Sequence, residues 1–83
     1  MEKIRLLDCT LRDGGYINGW DFGEKTIRKI IAELVRAGTD LIEAGFLRDC
    51  EYQRDHTQFN SVSELKQILP EEHGRTGFVV MAL

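Results

Sequence analysis

Two carboxylates and a guanidinium lie within six residues of one another near the start of this chain. Asp8, Arg12 and Asp13 follow a short apolar run, residues 4–7, which predicts a buried strand because a turn signal comes directly after it. Two glycines come next and let the backbone bend sharply. The carboxyl ends of parallel strands are where ligands bind in α/β proteins. Since clustered charges are costly to desolvate, the group is either a ligand site or a polar turn with a structural ion pair.

A second charged residue interrupts an apolar strand further along the chain. Residues 40–46 read as the second strand, and Glu43 lies among its apolar residues. An isolated buried carboxylate is unfavourable unless it is paired, and Arg12, at the end of the neighbouring strand, is the natural partner. Glu43 is then either a structural partner of Arg12 or a member of a site, because carboxylates at strand ends carry chemistry in βα barrels.

The elements that must position these groups alternate between strand and helix. Residues 24–37 carry an apolar stripe at helical spacing and end before Gly38, which suits a left-handed C-cap. A second helix begins at Asn60 or Ser61 and runs to about Leu69; its predicted inward residues are Val62, Leu65, Ile68 and Leu69. Residues 76–83 read as a third strand. The β-α-β-α-β order predicts an α/β fold with parallel strands and right-handed crossovers.

Composition excludes several classes of function. The chain has 83 residues, a net charge of −3 and 42% apolar residues, which fits one small globular unit. This mild acidity disfavours binding to nucleic acid and to an anionic membrane surface, and no run approaches the ~20 apolar residues of a membrane span. The N-terminus lacks the pattern of a signal peptide, so we expect a cytoplasmic protein.

The remaining polar segments suggest less chemistry. Cys9 and Cys50 match no zinc or redox spacing, and Cys9 is predicted to be a small buried residue of the first strand. Residues 16–23 form a glycine-rich loop whose aromatic residues either cover a pocket or plug the top of the core. Residues 48–59 lack periodicity and are predicted to be loop, with Arg48 and His56 as surface groups.

Two motifs resemble those of one enzyme superfamily. Residues 8–15, Asp-Cys-Thr-Leu-Arg-Asp-Gly-Gly, resemble the D-x-T-L-R-D-G signature of the DRE-TIM metallolyases. Residues 37–46, Ala-Gly-Thr-Asp-Leu-Ile-Glu-Ala-Gly-Phe, resemble the second strand of that family. The extended Gly-Gly-Tyr-Ile-Asn-Gly-Trp-Asp-Phe segment is most similar to the 4-hydroxy-2-oxovalerate aldolase branch. A complete (β/α)8 barrel needs roughly 250 residues, so residues 1–83 are interpreted as the N-terminal portion of a TIM-barrel catalytic domain.

The resemblance implies roles for four residues. Asp13 is expected to bind a divalent metal, Mn²⁺ or Mg²⁺, together with two histidines of an H-x-H pair that this sequence does not contain. Arg12 is expected to stabilise the enolate oxygen of a 2-oxo acid, with Glu43 beside it in the active site. Tyr16 stands where the aldolases carry a histidine as the catalytic base.

Three functions follow as expectations. The first is the cleavage of a 4-hydroxy-2-oxo acid to pyruvate and an aldehyde by the parent enzyme, with the isolated chain inactive. The second is an acyl-CoA-using Claisen-type synthase or lyase of the same superfamily, and the third is a non-catalytic βα module. A three-stranded parallel sheet has two open edges, and its inner apolar residues, in segments 4–7, 41–44 and 78–82, would stay wet. We therefore also expect a homo-oligomer.

Overall fold

The computed structural model describes residues 5–83, and predictions for residues 1–4 lie outside the described part of the chain. Its elements in chain order are strand β1 (Leu7–Asp8), helix α1 (Thr10–Asp13), a 3₁₀ helix (Gly14–Tyr16), helix α2 (Glu24–Arg36), strand β2 (Leu41–Leu47), strand β3 (Gln58–Phe59), helix α3 (Val62–Ile68) and strand β4 (Gly77–Ala82). The pairs between these strands are all parallel, which confirms the α/β class expected from the sequence.

Strand β2 lies at the centre of the sheet. β4 pairs with it along its whole length, from Leu41 opposite Gly77 to Leu47 opposite Ala82. β1 pairs with the beginning of β2 and β3 pairs with its end. Since a strand has only two edges, β1 and β3 share the edge opposite β4.

A bulge at Gly45 interrupts the pairing of β2 with β4. Gly45 has a φ of +147°, and a Cβ atom at this position would collide with the backbone carbonyl of Thr57. Glycine therefore lets the segment before β3 lie directly against β2, where the Phe46 amide donates to the Thr57 carbonyl at 3.0 Å.

Helices α2 and α3 cover one face of the sheet, which we call the helix face. The core on this face consists of Leu11, Ile27, Ile31, Ala44, Phe59, Leu65 and Ile68. Helix α2 begins at the predicted residue and ends one residue before the predicted end, and its apolar stripe packs inward as expected.

The end of α2 is fixed by its own backbone. Gly38 has a φ of +79°, and its amide donates to Val35 O at 3.0 Å while the Thr39 amide donates to Leu34 O at 3.1 Å. These two bonds form a Schellman motif, which satisfies carbonyls that the helix end would otherwise leave unpaired. The left-handed C-cap predicted at Gly38 is therefore confirmed.

Helix α3 lies where the sequence places it, with one inward residue wrong. The Glu64 carboxylate accepts the amides of Asn60 and Ser61 at 2.6 and 3.1 Å, which fixes the start of the helix. Leu65 is buried as predicted, but Val62 is 51% exposed. Val62 is the first residue of α3, and because Cα–Cβ bonds tilt toward a helix N-terminus its side chain points away from the core.

The first strand differs from the buried strand that the apolar run predicts. β1 is only Leu7–Asp8, and the side chains of Leu6 and Leu7 are 63% and 55% exposed. Within residues 5–83 this strand pairs with β2 alone, so it is an edge strand, and composition does not reveal how many neighbours a strand has. Cys9 follows β1 rather than lying in it, and it is half-buried rather than buried.

The sequence predicts that residues 48–59 are all loop, and this prediction is wrong for the last two residues. Gln58 and Phe59 pair with the end of β2, and Phe59 is fully buried in the core. A strand of two residues is too short to show an alternating pattern, which is why the sequence does not reveal it. The last strand lies within the predicted 76–83 and is one residue shorter at each end.

The side of the sheet opposite α2 and α3 is here called the open face. Residues paired in register share a face, so Leu7, Val79 and Met81 lie on it with Glu43, and these three apolar side chains are 55%, 39% and 39% exposed. The prediction that residues 41–44 would be wet is wrong for Ile42 and Ala44, which are fully buried. Side chains alternate along a strand, and these two belong to the helix face.

Two findings bear on the class of protein. Cys9 and Cys50 are both free and half-buried, so neither forms a disulfide. In the part of the chain that the structure describes, no helix combines the length and apolar character needed to cross a bilayer.

Candidate functional site

The predicted site lies where β1 ends and the chain turns into α1. Asp8, the last residue of β1, accepts the Thr10 amide at 3.0 Å and the Thr10 hydroxyl at 3.1 Å. Asp8 therefore shapes the turn. The sequence suggests instead that Asp8 flanks Arg12, and this prediction is wrong. A short local hydrogen bond to the backbone two residues ahead is a common competitor for an aspartate side chain at such a position.

Arg12 and Glu43 form the centre of the site. Arg12 Nε donates to Glu43 Oε1 at 2.9 Å and Arg12 Nη2 donates to Glu43 Oε2 at 3.2 Å, so the pair is bidentate. The two side chains are 21% and 8% exposed. The hydrogen bond to Glu43, the largest influence on the guanidinium, raises the pKa of Arg12 above its ordinary value, so this side chain remains a cation. The pairing expected from the sequence is present.

Asp13 lies beside this pair and faces solvent. Its Oδ1 is 3.7 Å from Arg12 Nη1, and its side chain is 66% exposed. An exposed carboxylate with unoccupied lone pairs suits a hard divalent cation. Across residues 5–83, however, no three His, Cys, Asp or Glu side chains come close enough to hold a metal ion. The described residues thus offer one candidate ligand and do not by themselves fit a complete metal site.

The glycines after Asp13 serve a purpose that the sequence did not indicate. Gly14 has a right-handed helical conformation, with φ −65° and ψ −16°, so it does not make the sharp bend expected of it. A Cβ atom on Gly15 would collide with the Trp20 ring, so this position must be glycine for the indole to lie against the turn. Close approach of a side chain, rather than bending, explains Gly15.

Three aromatic side chains form a cluster beside the turn made by residues 8–15, which we call the signature turn. Trp20 meets Tyr16 and Phe46 edge to face, with ring centroids 4.8 and 5.3 Å apart. Tyr16 is 64% exposed and lies at the outer rim of this cluster. Phe22 packs against the core, as expected for a plug.

The sequence did not reveal several residues that position the site. Thr57 is fully buried and its hydroxyl donates to Leu11 O at 2.7 Å. The Trp20 indole Nε1 donates to Arg12 O at 2.6 Å. Asp55 accepts the Glu24 amide at 2.9 Å and so caps α2 from a distant segment. The residues joined by these bonds are 46, 8 and 31 positions apart. A periodic pattern of apolar residues does not predict such bonds.

The other polar residues of segment 48–59 are peripheral. His56 Nε2 lies 3.7 Å from Asp21 Oδ2, and the two residues form an isolated antiparallel bridge between two loops. Arg48 is exposed just beyond β2. Neither residue contacts Arg12 or Glu43 through a hydrogen bond or an ion pair, which agrees with their assignment as surface groups.

Part of the chain is similar to curated condensing enzymes. It is 46% identical over 46 residues to a 2-isopropylmalate synthase of Listeria welshimeri, 44% over 45 residues to that of Sulfurisphaera tokodaii, and 41% over 46 residues to that of Carboxydothermus hydrogenoformans. The aligned segments cover 54–55% of this chain and only 9–12% of the relatives. No protein-family model matches the sequence, and no solved structure matches it at a significant level.

These relatives support the superfamily that the two motifs resemble. The DRE-TIM metallolyases include 2-isopropylmalate synthases, so the relatives and the two motifs point to the same superfamily. The relatives are synthases and not aldolases, so they do not support the aldolase branch favoured by the segment after the signature.

Proposed function

We propose that this chain forms the first βα units of a barrel enzyme that joins an acyl-CoA to a 2-oxo acid by Claisen-type condensation. The observation that carries the proposal is the bidentate Arg12–Glu43 pair with the exposed Asp13 beside it. Arg12 and Asp13 follow the carboxyl end of β1, and Glu43 is the third residue of the adjacent parallel strand β2. The sequence predicts that Glu43 lies at the carboxyl end of β2, and this prediction is wrong. The similarity to 2-isopropylmalate synthases favours condensation over aldol cleavage. Residues 1–83 would then be a small part of the catalytic domain.

Arg12 is the group that stabilises negative charge. Glu43 occupies Nε and one Nη2 donor, while Nη1 is 3.7 Å from Asp13, which is too long for a good hydrogen bond. The Nη1 donors therefore remain available to an oxygen that becomes negative as the carbon–carbon bond forms. Because Glu43 holds the guanidinium in one orientation, little reorganisation is needed when that charge develops.

Asp13 is proposed to supply one ligand of a divalent metal, Mn²⁺ or Mg²⁺. Its exposure leaves both carboxylate oxygens accessible, and such cations prefer hard oxygen ligands. When bound, the metal polarises the carbonyl of the 2-oxo acid. The other ligands would come from parts of the barrel outside this chain.

Tyr16 is proposed to act at the rim of the same site as an acid–base group. Its ring is exposed and is held by its edge contact with Trp20, so the phenol is accessible to a bound substrate. Replacing Tyr16 with Phe keeps this contact and removes the hydroxyl. In the parent enzyme we expect this change to lower kcat while the KM values for both substrates stay near normal.

The test is an assay of the full product of the reading frame that contains these codons. With Mn²⁺ present, release of free CoA from acetyl-CoA in the presence of 2-oxo acids would support condensation. Release of pyruvate from 4-hydroxy-2-oxovalerate would instead support the aldolase reading and overturn the proposal. Activity in neither assay would favour a non-catalytic βα module.

Variants locate the chemistry within that assay. Removing the Arg12 guanidinium by Arg12→Ala should lower turnover about 10²-fold or more, the size of effect seen when one oxyanion donor is lost. Asp13→Asn removes a charged metal ligand and should lower turnover and raise the Mn²⁺ concentration needed for half-maximal activity. Arg36→Ala, on the exposed end of α2, is the matched control and should keep full activity. Near-normal turnover of the Arg12 and Asp13 variants would move the chemistry elsewhere.

A further inference from the structure

Thr57 uses all of its hydrogen-bonding groups on three separate segments. Its hydroxyl donates to Leu11 O at 2.7 Å, its amide donates to Trp20 O at 3.0 Å, and its carbonyl accepts the Phe46 amide at 3.0 Å. The residue is fully buried. It therefore ties the signature turn, the aromatic loop and β2 together from a segment 46 positions away from Leu11.

These bonds fix the backbone on both sides of the Arg12 side chain. The carbonyl before Arg12, that of Leu11, accepts from Thr57, and the carbonyl of Arg12 itself accepts from the Trp20 indole at 2.6 Å. Thr57 in turn holds Trp20 through its backbone. We call Thr57 and Trp20 together the Arg12 brace.

The turn that carries Arg12 needs such support. Helix α1 has four residues and no side-chain cap at Cys9, so it is too short to be stable by itself. Carbonyls near a helix end lack intrahelical partners, and the brace supplies hydrogen-bond donors to two such carbonyls, those of Leu11 and Arg12. Trp20 has a φ of +62°, which a non-glycine residue adopts only where its surroundings hold it.

Two glycines make room for the brace. A side chain at Gly45 would meet the Thr57 carbonyl, and a side chain at Gly15 would meet the Trp20 ring. Gly15 belongs to the first motif, residues 8–15, and Gly45 to the second, residues 37–46. Their common consequence is that Thr57 and Trp20 can reach the backbone around Arg12.

We infer that the Thr57 hydroxyl is a positioning group that orients the Arg12 guanidinium through the Leu11 carbonyl. The catalytic consequence rests on the proposed function, but the positioning itself does not. Removing the hydroxyl leaves a buried carbonyl without a donor and frees the turn to change its angle to β2. The Arg12 bonds to Glu43 are then the first contacts to loosen.

The test uses ¹⁵N-labelled protein and the Nε–Hε resonance of Arg12, assigned by its loss in Arg12→Lys. In the unmutated chain this proton is hydrogen-bonded to Glu43 and should exchange slowly with water. The rate in the unmutated chain is called the parent value below. Thr57→Val has nearly the same shape without the hydroxyl, and we expect it to speed this exchange at least tenfold. Thr57→Ser restores a hydroxyl and should return the rate to within about twofold of the parent value.

A matched control separates positioning from a general loss of stability. The Thr76 hydroxyl, on a residue 4% exposed, donates to Thr39 O at 2.7 Å, the same bond at the opposite end of β2. Thr76→Val should reduce the unfolding free energy as Thr57→Val does while leaving Arg12 exchange unchanged. Thr57→Ala also removes the hydroxyl and decides the question if Thr57→Val does not fold. Trp20→Phe, which keeps an aromatic ring and loses the N–H donor to Arg12 O, should speed exchange to a smaller extent.

The outcomes distinguish this inference from the proposed function. Exchange in Thr57→Val within twofold of the parent, or an equal rise in Thr76→Val, overturns the positioning role. Faster exchange in Thr57→Val alone supports it, even if the full-length product proves inactive in both assays. If that product is active, Thr57→Val should lower kcat with little change in KM, and Thr57→Ser should restore kcat.

Discussion

The two faces of the sheet are built from the same strands but carry different kinds of residue. On the helix face, Ala44 of β2 is fully buried in the core that α2 and α3 help to form, and Ile42 is also fully buried. On the open face, Glu43 pairs with Arg12 while Val79 and Met81 remain 39% exposed. Burial of apolar surface stabilises the fold mainly through the helix face. The open face is where charged groups are placed, although they would be costly to desolvate.

The largest expected difference between the faces is in stability. Phe59→Ala removes a fully buried ring from the helix face and should lower the unfolding free energy by about 3–5 kcal/mol. Val79→Ala on the open face removes a partly exposed side chain and should lower it by less than about 1 kcal/mol. Urea denaturation followed by circular dichroism measures both. Equal losses would show that the open face is packed as tightly as the helix face.

The ion pair gives the next largest effect. Glu43→Leu leaves the Arg12 cation without its partner and should destabilise the chain, though less than Phe59→Ala does. Replacing both partners, with Arg12→Met and Glu43→Leu together, should recover most of that loss because buried ion pairs contribute little net stability. The same urea titrations provide the double-mutant cycle. A double variant as unstable as Glu43→Leu alone would mean that the pair is needed for the fold.

On both faces, the sequence predicts the features that follow from a residue's own local pattern. Helix α2 is long enough for its stripe of isoleucines to reveal both its bounds and its buried side. The Arg12–Glu43 pair is also predictable, since a glutamate inside an apolar strand needs a cation nearby. Both inferences use regularities that a few adjacent residues display.

The failures share the opposite property. The positioning role of Thr57 depends on a partner 46 positions away, and the burial of Phe59 depends on a strand of two residues. The sequence places Asp8 beside Arg12 because composition does not show that a local bond to Thr10 is available. It predicts a buried Leu7 because an apolar run does not show whether a strand lies at an edge.

The open face also leads to a prediction about assembly. We propose that it associates with a second copy of this chain, because Val79 and Met81 are exposed and β4 carries no charged residue to protect its edge. Sedimentation equilibrium at micromolar concentration should then give a mass near twice 9.5 kDa. Val79→Lys should weaken this association at least tenfold.

The control for that experiment lies on the exposed side of α2. Ala32→Lys introduces the same charge at a solvent-facing position and should leave the association unchanged. A clean monomer for the parent sequence, with a cooperative melt, would show that the exposed apolar residues do not drive assembly.

The smallest expected effect lies at the rim of the helix face. Tyr52 stacks on Phe59 with ring centroids 5.8 Å apart, and partial burial, together with the nearby Glu24 carboxylate, raises the pKa of its phenol above the ordinary 10.0. The folded chain therefore binds the phenolic proton more tightly than the unfolded chain does. The resulting stability is fully present below about pH 10 and is lost as the pH rises through the folded-state pKa. Tyr52→Phe cannot ionise, so its urea midpoint should fall less between about pH 9 and pH 11 than that of the parent chain. Tyr16→Phe, which removes a phenol from an exposed ring, is the matched control. If both variants flatten the alkaline decline equally, partial burial on the helix face is not what sets it.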